Sequence, residues 1–196
     1  MEELLSFLNG ISSAEGWPLP AGCLEYLRKT IKKRSLKCKE KLLEPGQVCK
    51  NLYFIKKGLL KCFYMVGKKE VSDWFFGETE TVVSIDSFYD QVASKDFIQA
   101  LEDCELFYIT YDELQYLYRT YIEFNVIGRI LTNKYLRLWH QQAKNIRMLT
   151  AKQRYSFLLK NQPELINRVL VKDLASYLDM AEATLSRMRD QRRKAP

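Results

Sequence analysis

Apolar side chains in the C-terminal segment 169–196 recur at the spacing of two short helices joined by a tight turn. The residues that carry this spacing are Val171, Leu174, Ala175, Leu178, Met180, Leu185 and Met188. Basic side chains surround them at Arg187, Arg189, Arg192, Arg193 and Lys194. A compact helix pair with a cationic edge is typical of a helix-turn-helix that enters a groove of double-stranded DNA.

Positive charge is concentrated in the same part of the chain. The 196 residues carry a net charge of +7. Residues 144–196 hold 12 Lys or Arg and 5 Asp or Glu, whereas residues 1–143 hold 19 of each kind. We therefore expect a sensing or assembly module followed by a module that binds a polyanion. A solubilising basic tail is the alternative, but the periodic apolar pattern disfavours it.

The N-terminus and the cysteines restrict where the protein works. Glu2 and Glu3 stand where a signal peptide needs basic residues, and no apolar run approaches the ~20 residues of a membrane span. The five cysteines are widely spaced without a C-x-x-C pair, which indicates free thiols. A cytoplasmic protein is expected, with no membrane partner, no metal site and no cofactor.

The period of the apolar pattern changes along the chain from helix to strand and back to helix. Residues 1–31 show helical stripes interrupted by Gly and Pro. Several β-rich runs follow at about ten-residue intervals. These runs are 35–42, 51–55, 59–66, 71–76, 97–101 and 105–110. An α+β fold is predicted, with a β-roll of jelly-roll type and its N-terminal helices over 1–123.

A heptad-like spacing indicates a long helix after the β-roll. One series of residues recurs at intervals of four and three and is apolar at its start and polar later: Ile127, Leu131, Lys134, Leu138, Gln141 and Asn145. A helix of ~24 residues would be ~36 Å long. Since this exceeds what one small domain needs, we predict a dimerisation helix over 124–148; an ordinary core helix is the alternative. The predicted dimer interface contains Ile127, Leu131, Lys134 and Leu138. The DNA-binding domain would then occupy 149–196.

Short strings in a fixed order resemble the Crp/Fnr family of bacterial transcription regulators, in particular short members typical of Bacteroidetes-type bacteria. The β-roll strings are Glu44-Pro45-Gly46 with Leu52–Gly58, then Phe76-Gly77-Glu78, then Ala100–Leu106. The segment Ala175–Arg189 is similar to the helix-turn-helix pattern of the family. The resemblance implies a homodimer, an inverted-repeat DNA site and RNA polymerase as a further partner.

One departure from the family pattern predicts that the cyclic-nucleotide pocket is degenerate. The family places an Arg that pairs with the cyclic phosphate six residues before the position of Ala100, where this chain has Ser94. Lys95 is adjacent but should point to the opposite face of a strand. Asp86 and Asp90 would repel a phosphate. The remnant pocket is expected at Gly77, Glu78, Ser94 and Lys95.

The resemblance also assigns the surface that reads DNA. The recognition helix should begin at Ala181 or Glu182 and end at Gln191, after Asp179 in a left-handed turn. Arg187 corresponds to the family's guanine-reading Arg, and the other groove-facing residues are Glu182, Ala183 and Ser186. Thr184, Arg189, Arg192 and Arg193 are expected beside phosphates. The usual wing hairpin, which makes such domains winged helices, is expected to be truncated.

Three hypotheses about function follow. The first is a homodimeric transcription regulator that has lost nucleotide binding. The second is a regulator that senses a different small molecule in the β-roll, and the third is a protein-interaction module. An enzyme is not expected, because the chain has a single His and neither a nucleophile-elbow nor a Walker motif.

Overall fold

The computed structural model describes residues 1–194 and the side chains of residues 1–192. Two helices open the chain, α1 (Glu2–Ala14) and α2 (Ala21–Thr30), as the sequence predicts. Leu4 and Leu5 of α1 and Leu27 of α2 are buried against the β-roll that follows. The N-terminal helices are therefore part of the same core as the strands.

The β-roll consists of two four-stranded antiparallel sheets, ordered β1-β8-β3-β6 and β2-β7-β4-β5. Its strands are β1 (Lys32–Leu36), β2 (Lys41–Leu43), β3 (Asn51–Lys57), β4 (Leu60–Val66), β5 (Lys69–Phe76), β6 (Thr81–Val82), β7 (Phe97–Ala100) and β8 (Cys104–Thr110). Ile55, Leu60 and Leu106 are almost fully buried among them. The predicted α+β class with a β-roll is confirmed.

A glycine fixes the corner between β3 and β4. Gly58 has φ of +108°, and a Cβ there would collide with the Cys104 side chain. Glycine adopts this conformation without the steric penalty that other residues meet. The backbone amide of Gly58 is thereby free to donate to a carboxylate oxygen of Glu78 at 2.9 Å.

The polar stretch between Phe76 and Phe97 is more ordered than its composition predicts. It forms the short strand β6 and the helix α3 (Ile85–Asp90), which ends at Gln91 in a left-handed conformation. Phe88 is fully buried and anchors α3 against the core. Ile85, Phe88, Tyr89 and Val92 follow the i, i+3, i+4 and i+7 spacing of a helix, so the sequence did carry a short signal for α3 within this otherwise polar stretch.

Two helices leave the β-roll. The first, α4 (Tyr111–Thr120), begins with a capping box between Thr110 and Glu113. The second, α5 (Ile122–Met148), spans 27 residues and matches the predicted long helix. Ile127 of α5 is only 2% exposed and Leu131 is half-buried, both against the chain's own core. Ile127 therefore packs within its own chain and is not available on a surface that a partner could reach, contrary to its place in the predicted interface.

Four helices complete the described part of the chain: α6 (Ala151–Asn161), α7 (Leu165–Arg168), α8 (Val171–Tyr177) and α9 (Glu182–Lys194). The helix α6 begins with a capping box between Thr150 and Gln153. Between α8 and α9 the chain turns at Asp179, whose φ is +49°, as expected for a left-handed residue there. The predicted truncation of a wing falls beyond the described residues.

No helix among residues 1–194 combines the length and the apolar character that crossing a membrane requires.

Candidate nucleic-acid interface and sensor pocket

The helices α8 and α9 pack against each other across the turn at Asp179, which is the arrangement that the sequence predicts for a helix-turn-helix. Leu174 of α8 and Leu185 of α9 are fully buried, and Met188 is half-buried against the same core. Helical periodicity then directs the opposite face of α9 to solvent. Four of the predicted groove-facing residues are exposed together on that face: Glu182, Ala183, Ser186 and Arg187.

The side chains predicted to contact DNA differ in whether they already bond within the protein. Arg187 is exposed, and its Nε donates to the Ala183 carbonyl oxygen of its own helix at 3.2 Å. Arg189 is half-buried and donates from Nη2 to the Ile166 carbonyl oxygen at 3.0 Å. Thr184 is also half-buried, whereas Arg192 is exposed. Arg189 thus has a structural contact that the sequence did not indicate, and the side chain of Arg193 lies outside the described residues.

A guanidinium that sequence analysis missed organises the turn between α8 and α9. Arg154 of α6 donates to the Leu178 carbonyl oxygen at 2.7 Å and to that of Asp179 at 2.7 Å. Its third nitrogen donates to the carbonyl oxygen of Leu149, at the end of α5, at 2.8 Å. The planar fork of Arg suits several fixed acceptors at once. Arg154 therefore joins the end of the long helix to the helix-turn-helix.

A buried ion pair holds α8 against the β-roll. Lys61 of β4 donates to Asp173 of α8 at 3.0 Å, and their side chains are 3% and 5% exposed. Beside it, the backbone amide of Ser72 donates to Ser176 Oγ at 3.0 Å. Charged residues are rarely buried this deeply unless they are paired. The β-roll and the helix-turn-helix consequently share one continuous core.

A second charged contact joins α7 to the β-roll at the predicted remnant pocket. Arg168, at the end of α7, makes a two-pronged contact with Glu78, each nitrogen-to-oxygen distance being 2.9 Å, and also pairs with Glu102. The pKa of Glu78 falls to about 2, chiefly because Arg168 donates hydrogen bonds to it. The carboxylate of Glu78, which the sequence places in the remnant pocket, is therefore engaged within the protein.

The phosphate-pairing position is closed by neutral and acidic groups. Ser94 is 5% exposed, its Oγ lies 3.1 Å from Ser84 Oγ, and it accepts from the Asp96 amide at 2.9 Å. Lys95 is exposed. Both residues precede β7, so the predicted strand alternation does not apply to them; the chain bends at Lys95. The amide of Gly77 donates to Glu80 at 2.9 Å.

The exposed part of α5 carries apolar side chains. Leu138 of the predicted seam is 37% exposed and Lys134 is exposed. Leu136 is 61% exposed and Ile146 37%, although neither belongs to that seam. Exposed apolar residues on one long helix are consistent with a second protein chain that packs against them. The dimer interface, now without Ile127, stays a prediction.

Comparisons with known proteins place the β-roll in a family. Residues 33–121 match the model of the cyclic nucleotide-binding domain. This segment contains the β-roll strands and α4. No curated protein is significantly similar to the chain in sequence.

Three solved structures illustrate the similarity of fold. The c-di-GMP-responsive global regulator CLP of Xanthomonas campestris is 20% identical with a TM-score of 0.66, over 89% of this chain and 92% of CLP. FixK2 of Bradyrhizobium japonicum is 15% identical with a TM-score of 0.72, over 82% and 83% of the two chains. A Crp/Fnr-family protein of Eubacterium rectale is 14% identical with a TM-score of 0.68, over 87% and 82%. Residues 33–121 therefore match the cyclic nucleotide-binding domain, and the chain shares its fold with solved Crp/Fnr-type regulators, as the predicted resemblance implies.

Proposed function

We propose that the protein is a homodimeric, DNA-binding transcription regulator of the Crp/Fnr type that acts in the cytoplasm and is not an enzyme. The observation that carries this proposal is the recognition helix α9, whose exposed face presents Arg187 in a segment rich in positive charge. Arg on a major-groove helix recognises guanine through two parallel hydrogen bonds. Neighbours of the same fold include CLP, a regulator of gene expression, and RNA polymerase would be a further partner.

The β-roll is proposed to have lost cyclic-nucleotide binding. A cyclic phosphate needs a cationic partner, but Ser94 occupies the matching position and bonds to neighbouring oxygens. Glu78 is already paired with Arg168. A nucleotide would have to break that pair and would then meet the carboxylate of Asp96. The signal therefore differs from the one that the family model describes.

Two variants of α9 test the proposal. Arg187→Ala removes the proposed base contact, which contributes ~1–3 kcal/mol of discrimination, so it should weaken binding to an operator more than binding to random DNA. Arg192→Ala is the matched control, because a lost phosphate contact should weaken binding to both duplexes equally. It should also reduce the slope of log affinity against log salt concentration by about one.

Fluorescence anisotropy at several salt concentrations, with operator and scrambled duplexes, distinguishes these outcomes. If Arg187→Ala weakens both duplexes alike, Arg187 is a phosphate contact and α9 is oriented differently in the groove. If the intact protein binds neither duplex at low salt, the DNA-binding proposal is wrong and a protein-interaction module becomes the better hypothesis.

A further inference from the structure

A cleft lies where the β-roll, the long helix and the helix-turn-helix meet. It has a volume of about 610 Å³ and is bordered by β5, the segment from Val83 to Asp86, α5 and α8. Small-molecule sites in proteins typically measure ~300–1,000 Å³ and lie between structural units. This cleft therefore has the size and the position of a ligand site that contacts all three parts of the chain.

The charge of the cleft is opposite to that of the protein. Four carboxylates line it, those of Asp73, Asp86, Asp96 and Asp179. None of the described residues that line it is Lys or Arg, although the chain has a net charge of +7. A concave surface with one sign of charge concentrates ligands of the other sign. The cleft consequently favours a cation and disfavours the anions that nucleotide pockets bind.

Aromatic rings form the inner wall. Trp74 makes edge-on contacts with Trp139 of α5, at a centroid distance of 6.1 Å, and with Tyr177 of α8, at 6.0 Å. All three residues line the cleft, as does the exposed ring of Tyr64. The face of an indole attracts a cation within ~6 Å, and aromatic walls suit organic ammonium ions in particular.

Two buried polar atoms in this wall have no partner. Ser72 is 5% exposed and Trp74 4%, yet Ser72 Oγ and Trp74 Nε1 make no hydrogen bond. Buried polar groups are nearly always paired, so an unpaired hydroxyl and an unpaired indole N–H behind this wall are groups that a ligand entering the wall would satisfy. Ser72 can accept from an ammonium, and Trp74 can donate to a polar atom elsewhere on the ligand.

An irregularity in the sheet places a carboxylate at the same site. In the pairing of β4 with β5, Cys62 lies opposite Trp74 and Phe63 lies opposite Ser72, so Asp73 is an extra residue. Such bulges redirect side chains and are frequent beside functional sites. Although Asp73 is exposed as a residue, nearby protein atoms desolvate its carboxylate, and this, with a smaller effect of the Asp96 carboxylate, raises the pKa of Asp73 above its ordinary value. A bound cation would offset both effects through its attraction to the carboxylates.

We propose that the cleft binds an organic ammonium ion, held by Asp73 and Asp96 and packed against Trp139. The aromatic wall and the size of the cleft favour a larger cation over a metal ion. The family's phosphate position supports the same assignment, because Ser94 bonds to Ser84 and Asp96, which line the cleft.

This inference deepens the proposed function by giving the regulator a class of ligand, but its test requires no DNA. Isothermal titration calorimetry on the full chain would use putrescine, spermidine and tetramethylammonium as probes, with cyclic AMP and Mg²⁺ as comparison ligands. We expect saturable binding of at least one ammonium probe. Binding of Mg²⁺ with equal affinity and competition with the probes would instead identify a metal site and overturn the assignment.

Variants locate the binding. Asp73 is exposed, and its side chain makes no hydrogen bond among the described contacts, so Asp73→Asn should fold normally. It should weaken the binding of the ammonium probe by about tenfold or more. Trp139→Leu should weaken it by several-fold through the lost ring face. Asp112→Asn removes the same charge from an exposed position on α4, outside the cleft, and should change nothing.

The outcomes separate this inference from the proposed function. If no ammonium probe binds, or if Asp73→Asn and Asp112→Asn behave alike, the cleft is not the site. That result would leave the proposal of DNA binding standing. Conversely, a protein that binds the probe through Asp73 but binds no DNA would retain the cleft assignment and overturn the regulator proposal.

Discussion

The buried pair of Lys61 and Asp173 predicts how strongly the helix-turn-helix is attached to the β-roll. Their charged atoms lie 3.0 Å apart, and Lys61 also contacts Glu70, whose side chain is 43% exposed, at 3.1 Å. Asp173→Leu would leave a buried ammonium with one exposed partner. Breaking a buried pair costs about 3–5 kcal/mol. Because Glu70 remains, we expect about 3 kcal/mol, which is roughly a hundredfold change in the ratio of folded to unfolded protein.

Equilibrium unfolding in urea, followed by far-UV circular dichroism, measures this loss as a lower midpoint at an unchanged slope. The double variant Lys61→Met with Asp173→Leu removes both charges and should recover most of the stability, since apolar replacements of buried pairs are often neutral or stabilising. The exposed Asp112→Asn is the control. If Asp173→Leu lowers the free energy of unfolding by less than about 1 kcal/mol, the pair does not attach α8 to the β-roll as we argue.

Three further outcomes follow from the other contacts. Because the pKa of Glu78 is lowered to about 2, the pairing of Glu78 with Arg168 should stabilise the protein fully above the pKa of ~4.3 that Glu has in the unfolded chain. This stabilisation should be lost as the pH falls towards 2. In thermal unfolding, the stability of Arg168→Ala should depend less on acid pH than that of the intact protein, and an unchanged dependence would contradict the pairing. Leu138→Glu should give a monomer by light scattering, whereas the exposed Val66→Glu on the β4–β5 hairpin should not; a dimer that survives Leu138→Glu would move the interface elsewhere. Calorimetry should detect no binding of cyclic AMP, and Ser94→Arg alone should not restore it; micromolar affinity of the intact protein would overturn the proposed loss of nucleotide binding.

Helices and strands with a regular period were predictable because local sequence determines their burial. The Thr150 cap, the left-handed Asp179 and the buried Leu185 all follow from short-range rules of capping, turn chemistry and periodicity. The long helix was predictable for the same reason, although its seam was not. Ile127 fits a heptad and a core stripe equally well, and only the packing of the β-roll decides between them.

The contacts between the parts could not be predicted from the sequence. Lys61 and Asp173 are 112 positions apart, and Arg168 and Glu78 are 90 apart, so no local pattern relates them. Arg154 reads as an exposed residue on a polar helix face until the α8–α9 turn is placed beside it. The acidic cleft likewise combines residues from separate strands and helices that each have an ordinary local sequence. Long-range packing determines all of these groupings.

Selection of duplexes from a random DNA pool by the full-length protein, followed by sequencing, tests the proposed DNA reading most directly. Two recognition helices related by a twofold axis should enter successive major grooves about 34 Å apart, so the enriched sequences should form an inverted repeat with half-sites 10–10.5 base pairs apart or a multiple of this. Arg187→Ala should relax the preference at one base pair in each half-site. Enrichment of no sequence, or of a single unsymmetric site, would contradict a dimer that reads DNA through α9.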